Sequence, residues 1–388
     1  MKIMKINYLF LLFLLESLLL STTASAEMLA MLNYETEPQQ PRQEGIAIMD
    51  VDPSSAHFGE IVDHVSLPTD GVSHHIFYNK TLDKAYITSL GNGALRVMKM
   101  RQTPLNPKDI DVPACQVAED IIFSEDGKLW YMTCMGSSNV IVGDAHTDKV
   151  VKVITSKDAK HFIQNPHGIG LHQAIDRLLV TSTIKPDLTE PGNTVTEIQA
   201  STGEIVATHK VSGPDFQGGS GPVEAVFIPH SNPAQAYINT MFEGRLWLAS
   251  WQHQIKQFQL KPVFNFADVK QGMPLEIYFS HDHKKLFVTT AKPGALNIFD
   301  ISTSPEKPRL IKSISTAGGA HHVVISPDER FAIVQNNFLN LPEMNDGSIT
   351  VIDLHKMETI ATINTLKDKG WKANSILMMP QWHTDDAH

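Results

Sequence analysis

Along most of this chain apolar and polar residues alternate, and the alternating runs come in pairs separated by a tight polar turn. Six such pairs read HHIFYNKTLDKAYITSL from His74, EDIIFSEDGKLWYMTC from Glu119, HGIGLHQAIDRLLVTS from His167, EAVFIPHSNPAQAYINT from Glu224, LEIYFSHDHKKLFVTT from Leu275 and HHVVISPDERFAIVQNN from His321. A period of two with Asp, Gly or Asn between the runs predicts β-hairpins. Aligned on their second residue (His75, Asp120, Gly168, Ala225, Glu276 and His322) the segments recur at intervals of 45, 48, 57, 51 and 46 residues. That period fits one four-stranded propeller blade per repeat.

Each hairpin is followed by a further pair of alternating runs. The clearest is GSITVIDLHKMETIATI from Gly347, with GALNIFDISTSPEKPRLIKSI from Gly294 and NVIVGDAHTDKVVKVI from Asn139 repeating the theme. Long helical periodicity is absent, so the fold class is all-β. A seventh inner strand is offered by SILMMP from Ser375, where the chain runs out before a hairpin partner can form. The missing strands are at the other end: EMLAMLNYE from Glu27, GIAIMDVD from Gly45 and EIVDHVSL from Glu60. One C-terminal and three N-terminal strands would close a seven-bladed ring and remove its open edges. The polar segment from Thr36, TEPQQPRQEG, is then a connector inside the closing blade.

The first residues carry a different pattern. Lys2 and Lys5 precede an apolar run from Tyr8 to Leu20, and Ala24-Ser25-Ala26 offers a small-residue cleavage site. This predicts a secretory signal over residues 1–26, a single propeller domain over 27–388, and a periplasmic or secreted mature chain. No other stretch approaches the roughly 20 apolar residues of a membrane span. The formal net charge is −10, without Lys/Arg clusters, which argues against nucleic acid as a partner. Cys115 and Cys134 flank one predicted hairpin in an export-competent chain. A disulfide is the expected state, with free thiols and a Cys-based metal site as alternatives. The chain is expected to be a monomer.

The candidate chemistry lies at the strand heads. In a propeller the first strand of each blade runs beside the central channel, so equivalent residues at its start converge at one mouth. Across the six repeats those positions are His74/His75, Glu119/Asp120, His167/Gly168, Glu224/Ala225, Leu275/Glu276 and His321/His322. Three or more imidazoles from different blades make a metal site, with His74, His75, His167, His321 and His322 as candidate ligands. Glu119 and Glu276 are candidate catalytic bases, and Glu224 is a channel charge or a brace. The plainer alternative is that these residues only tie neighbouring blades together, each satisfied by backbone groups. Elsewhere, His281 and His283 flank a predicted turn and should be exposed, while the tail histidines His383 and His388 could fold over one face. Gly218-Gly219-Ser220-Gly221 precedes no predicted helix and is not a phosphate cradle. No G-x-S-x-G elbow is present.

The run IAIMDVDPSSAHFGEIVDHVSLP followed by DGVSHH resembles the selenium-binding protein family, whose characterised bacterial members are methanethiol oxidases. GMPLEIYFS, the DIS-x-x-P-x-x-PRLI run from Asp300 and SPDERFAIV look like other blades of that family. The resemblance implies a seven-bladed propeller and copper held by channel histidines, directly at His74 and His75 and by match at His167. It also implies oxidation of a small thiol at the channel mouth. The family's Cys-containing insertion after the His-His strand is missing, as is its His-rich, Cys-containing C-terminal ending. The hairpins resemble the broader YVTN-type propeller repeats as well. That superfamily keeps two further readings open: a non-catalytic propeller binding a metal, peptide or protein partner, and a metal-dependent lactonase.

Overall fold

The computed structural model describes residues 28–69, 71–91 and 95–380. The predicted signal segment and the tail residues His383 and His388 lie outside the described residues. Seven four-stranded antiparallel sheets make a seven-bladed β-propeller. The inner strands are Ser73–Tyr78, Ala118–Phe123, Pro166–His172, Pro222–Phe227, Pro274–Phe279, Ala320–Ile325 and Trp371–Met378, here numbered as blades 1 to 7. All seven begin where the hydrophobic alternation predicts an inner strand, to within a few residues.

Closure follows the expected scheme. In blade 7 the C-terminal inner strand pairs with Leu29–Thr36, which pairs with Glu44–Asp50 and then with Ile61–Leu67. The closing register runs from Ala30 opposite Met378 to Thr36 opposite Trp371. No helix among the described residues is long and apolar enough to cross a membrane.

The hydrophobic effect acts between blades rather than at one centre. Tyr237, Leu246 and Leu248 of blade 4, for example, pack on Ile277, Leu286, Val288 and Phe299 of blade 5. Strands sandwiched in this way are buried on both faces, so Glu44–Asp50 is buried along its whole length. The outermost strand of the same blade, Ile61–Leu67, is half solvated. In blade 2 a disulfide joins Cys115 to Cys134, with Cα atoms 5.3 Å apart, and ties the entry loop to the end of the second strand.

Candidate metal centre

A repeated irregularity of the inner strands builds the site. In blades 1 to 6 the inner strand pairs with its neighbour, leaves two residues unpaired, and then resumes pairing. The unpaired residues are His74-His75, Glu119-Asp120, His167-Gly168, Val223-Glu224, Leu275-Glu276 and His321-His322. Successive residues of a regular strand point to opposite faces, so only one of each pair would be directed at the channel. A bulge re-aims side chains, and here it allows both residues of a pair to line the centre.

Clamps from the second strand hold five of these bulges. The backbone N–H groups of His75, Asp120, Gly168 and Glu276 donate to the hydroxyls of Thr88, Thr133, Thr181 and Thr289, each thirteen residues further along, and Glu224 N–H donates to Asn239 Oδ1. Several clamps also reach the next blade. Thr133 Oγ1 donates to His167 O, Thr181 Oγ1 to Val223 O at 2.8 Å, Asn239 Nδ2 to Leu275 O at 2.8 Å and Asn33 Nδ2 to His74 O at 2.8 Å. The neighbour's ligand-bearing backbone is thereby fixed.

The register corrects one alignment. Pro222 and Ala225 are the paired residues of blade 4, so Val223-Glu224, not Glu224-Ala225, is the unpaired couple. Ala225 belongs to the core between blades 3 and 4. The blade 4 hairpin is two residues longer than the others, and an apolar run leading into a longer turn carries no mark that fixes its register.

The five histidines and Glu119 converge. His74 Nε2 lies 3.1 Å and His167 Nε2 3.6 Å from Glu119 Oε2, while His167 Nδ1 is 3.5 Å from Glu224 Oε1. On the other side His321 Nε2 is 3.2 Å from Glu276 Oε1, and His322 Nδ1 is 3.5 Å from Glu276 Oε2. His75 sits between the two groups, stacked on His74 with ring centroids 3.9 Å apart and edge-on to His322 at 4.7 Å. Tyr278 OH, which sequence reasoning did not single out, lies 3.5 Å from Glu276 Oε2 and 3.4 Å from His322 Nδ1.

The burial of these groups bears on whether they brace neighbouring blades or bind a ligand. His74 and His75 are each 3% exposed and His321 is 2% exposed. His74 Nδ1, both nitrogens of His75, His167 Nδ1 and His322 Nε2 are buried without a hydrogen-bond partner. His167 Nδ1 is within ion-pair range of Glu224, at 3.5 Å. A brace satisfied by the backbone would leave no such orphans, and each unsatisfied buried polar atom costs about 1–3 kcal/mol. One ligand atom each from His74, His75, Glu119 and His167 lie within 4.8 Å of one another, as do atoms from His75, His321 and His322. Ligands about 2.0–2.1 Å from one ion stand at most about 4.2 Å apart, so a small closure of either set would hold a transition metal.

Electrostatics separates the two sides. Burial drives His75, His321 and His322 well below the usual imidazole range. The other histidines add to this at His75 and His321, whereas Glu276 opposes it at His322. These rings are neutral, the form in which imidazole ligates. Burial also disfavours charge on His167, but Glu119, then Glu224 and Asp120, outweigh it and raise that ring to about 10. Burial pushes Asp120 up to about 7, with His167 opposing and Glu276 adding, and holds Glu224 well above the carboxylate range.

The ring of residues lies between two cavities, at a waist of the channel and not at a mouth as expected. One cavity, about 520 Å³, exposes His74, Glu119, His167 and His321 to an apolar vestibule that includes Met135, Met241, Phe242, Met273, Phe338 and Leu341. The other, about 660 Å³, is lined by the second residues of the pairs, His75, Asp120, Glu224, Glu276 and His322, together with Tyr278. Glu119 thus faces the first cavity and Glu276 the second. His281 is exposed but His283 is half-buried, and Gly218-Gly219-Ser220-Gly221 is a loop followed by a strand.

No protein-family model matches the sequence, and no curated protein matches it. The fold is similar to solved propellers. A hypothetical selenium-binding protein from Sulfolobus tokodaii is 14% identical with a TM-score of 0.73, over 91% of this chain and 93% of that one. A putative 6-phosphogluconolactonase from Bacteroides fragilis is 12% identical with a TM-score of 0.60, over 92% and 99%. A dihydro-heme d1 dehydrogenase is 12% identical with a TM-score of 0.54, over 92% and 76%. At these identities the likeness is one of fold.

Proposed function

We propose that this propeller binds a transition metal in its channel, copper first, and acts in the periplasm or outside the cell as an oxidoreductase on a small uncharged thiol such as methanethiol. The observation that carries the reading is the convergence of five imidazoles and Glu119 from four blades, with buried nitrogens that no protein group satisfies. An all-nitrogen-and-oxygen donor set of this kind suits copper, zinc, iron or nickel. The sequence resemblance to selenium-binding proteins favours copper among them. A bound copper ion supplies redox chemistry for a thiol and dioxygen.

The residues of the chain do the rest. His74, His75 and His167 would hold an ion on one side and His75, His321 and His322 on the other, and Glu119 completes the first set or orients His74 and His167. The cavity over His74, Glu119 and His167 is walled by apolar side chains, which favours a small neutral guest over a charged one. Glu119 faces that guest and can accept the thiol proton, while Glu276 opens on the opposite, carboxylate-lined cavity.

Elemental analysis of protein purified from the periplasm tests the first half of this reading, and oxygen uptake with sulfide release from methanethiol tests the second. Wild type should carry stoichiometric metal and the His74→Ala/His75→Ala variant almost none. Equally little metal in both proteins would sink the metal reading. Copper-loaded protein that neither takes up oxygen nor releases sulfide would leave a binding propeller without turnover.

A further inference from the structure

The five imidazoles do not close on one point. They fall into two ligand sets, one of His74, His75, Glu119 and His167, the other of His75, His321 and His322. His75 belongs to both. Its ring lies between those of His74 and His322, and both of its nitrogens are buried without a hydrogen-bond partner. Every other channel histidine has a carboxylate within ion-pair distance: Glu119 for His74, Glu119 and Glu224 for His167, and Glu276 for His321 and His322.

We propose that His75 bridges two metal ions through its two ring nitrogens, one ion held also by His74, Glu119 and His167, the other by His321 and His322. The proposal rests on the metal-binding reading above and goes beyond it in stoichiometry and in the role of one residue.

The fold does not ask for histidine at this position. The same bulged position is occupied by Asp120, Gly168, Glu224 and Glu276 in other blades. The clamp that holds it binds the backbone N–H of His75, not its ring. A metal ligand normally donates its second nitrogen to a carboxylate, carbonyl or water, which fixes the ring. Neither nitrogen of His75 is engaged by a protein group, and an ion on each side would satisfy both. Ligation at both nitrogens leaves the ring without its N–H, and that proton is released to solvent as the second ion binds. The resulting negative ring, Glu119 beside one ion, and Glu276 beside His321 and His322 bring anionic charge to two dications in a buried place.

The test uses the full mature chain, stripped with chelator and titrated with copper(II) sulfate, and reads metal content together with the electron paramagnetic resonance signal. Wild type should bind two ions per chain, and a bridging imidazolate should couple their spins, so that the low-temperature signal integrates to well under half of the copper present. His321→Ala/His322→Ala should bind one ion with a full, uncoupled signal. One ion per chain in wild type, or two with full spin intensity, overturns the bridge while the metal-binding reading stands. No stoichiometric binding at all overturns both. The wild-type measurements do not depend on any variant folding.

Discussion

His167 carries the sharpest electrostatic signature in the channel. Glu119, then Glu224 and Asp120, outweigh burial and raise this ring to about 10, so that near neutral pH the ring and the carboxyl groups around it keep a proton. Relative to an unfolded value near 6.5, this proton contributes stability to the metal-free protein that is fully present below about pH 6.5 and is lost as pH rises toward 10. A metal must displace it. Affinity of the ligand set that contains His167 should therefore rise roughly tenfold per pH unit between about pH 7 and pH 9. His321 and His322 are already neutral and impose no such dependence. Calorimetric titration in two buffers of different ionisation enthalpy checks this. His167→Ala should release about one proton fewer per chain on metal binding at pH 8, and equal release in both proteins would refute the assignment. The histidine pairs were legible in the sequence because paired imidazoles at the start of an alternating strand have few structural reasons to exist. Tyr278 was not, because a tyrosine within an apolar run reads as core.

At the scale of the strand, the two-residue bulge turns a periodic sequence into a site. The hairpins themselves could be read from alternation and turn residues, but a bulge leaves no mark in hydrophobicity. Its trace is the threonine thirteen residues beyond the bulge in four blades, visible only once the register is known. The longer hairpin of blade 4 displaces its clamp to Asn239, which is why the alignment there slipped by one residue. Thr133 serves two backbone groups, accepting from Asp120 N–H and donating to His167 O. Thr133→Val keeps the shape and orphans both. Destabilisation of about 2–4 kcal/mol follows from two unsatisfied buried groups. Urea unfolding should show it, with a loss of metal affinity as His167 loosens. A variant as stable as wild type would mean that the clamp is incidental.

At the scale of the molecule, the ring is held at two seams of different kind. The covalent one closes a short loop, since Cys115 and Cys134 are 19 residues apart in sequence. Constraining a loop of that length in the unfolded chain stabilises by about 3 kcal/mol. Cys115→Ala/Cys134→Ala should lower the urea midpoint accordingly and leave metal content unchanged, because neither sulfur belongs to a ligand set. The non-covalent seam joins the chain ends in blade 7, and its pattern was legible from the unpaired strand at Ser375 and the three spare strands before His74. What the sequence could not reveal is that this seam also fixes the backbone of the candidate ligands His74 and His75. Asn33 accepts from Ser375 N–H at 2.7 Å and from Ser375 Oγ at 2.8 Å, and it donates to the carbonyl of His74. Asn374, on the C-terminal strand, donates to Ser73 O at 2.9 Å. The backbone of the first histidine pair is thus fixed by both ends of the chain. Asn33→Ala should cost about 2–4 kcal/mol in unfolding free energy, since buried donors and an acceptor lose their partner. It should also weaken metal binding by roughly 10–100-fold, the usual effect of freeing a ligand from its support. The disulfide variant is the control: at similar destabilisation it should keep wild-type affinity in a chelator competition. Equal affinity in the two variants would show that closure stabilises the ring without shaping its centre.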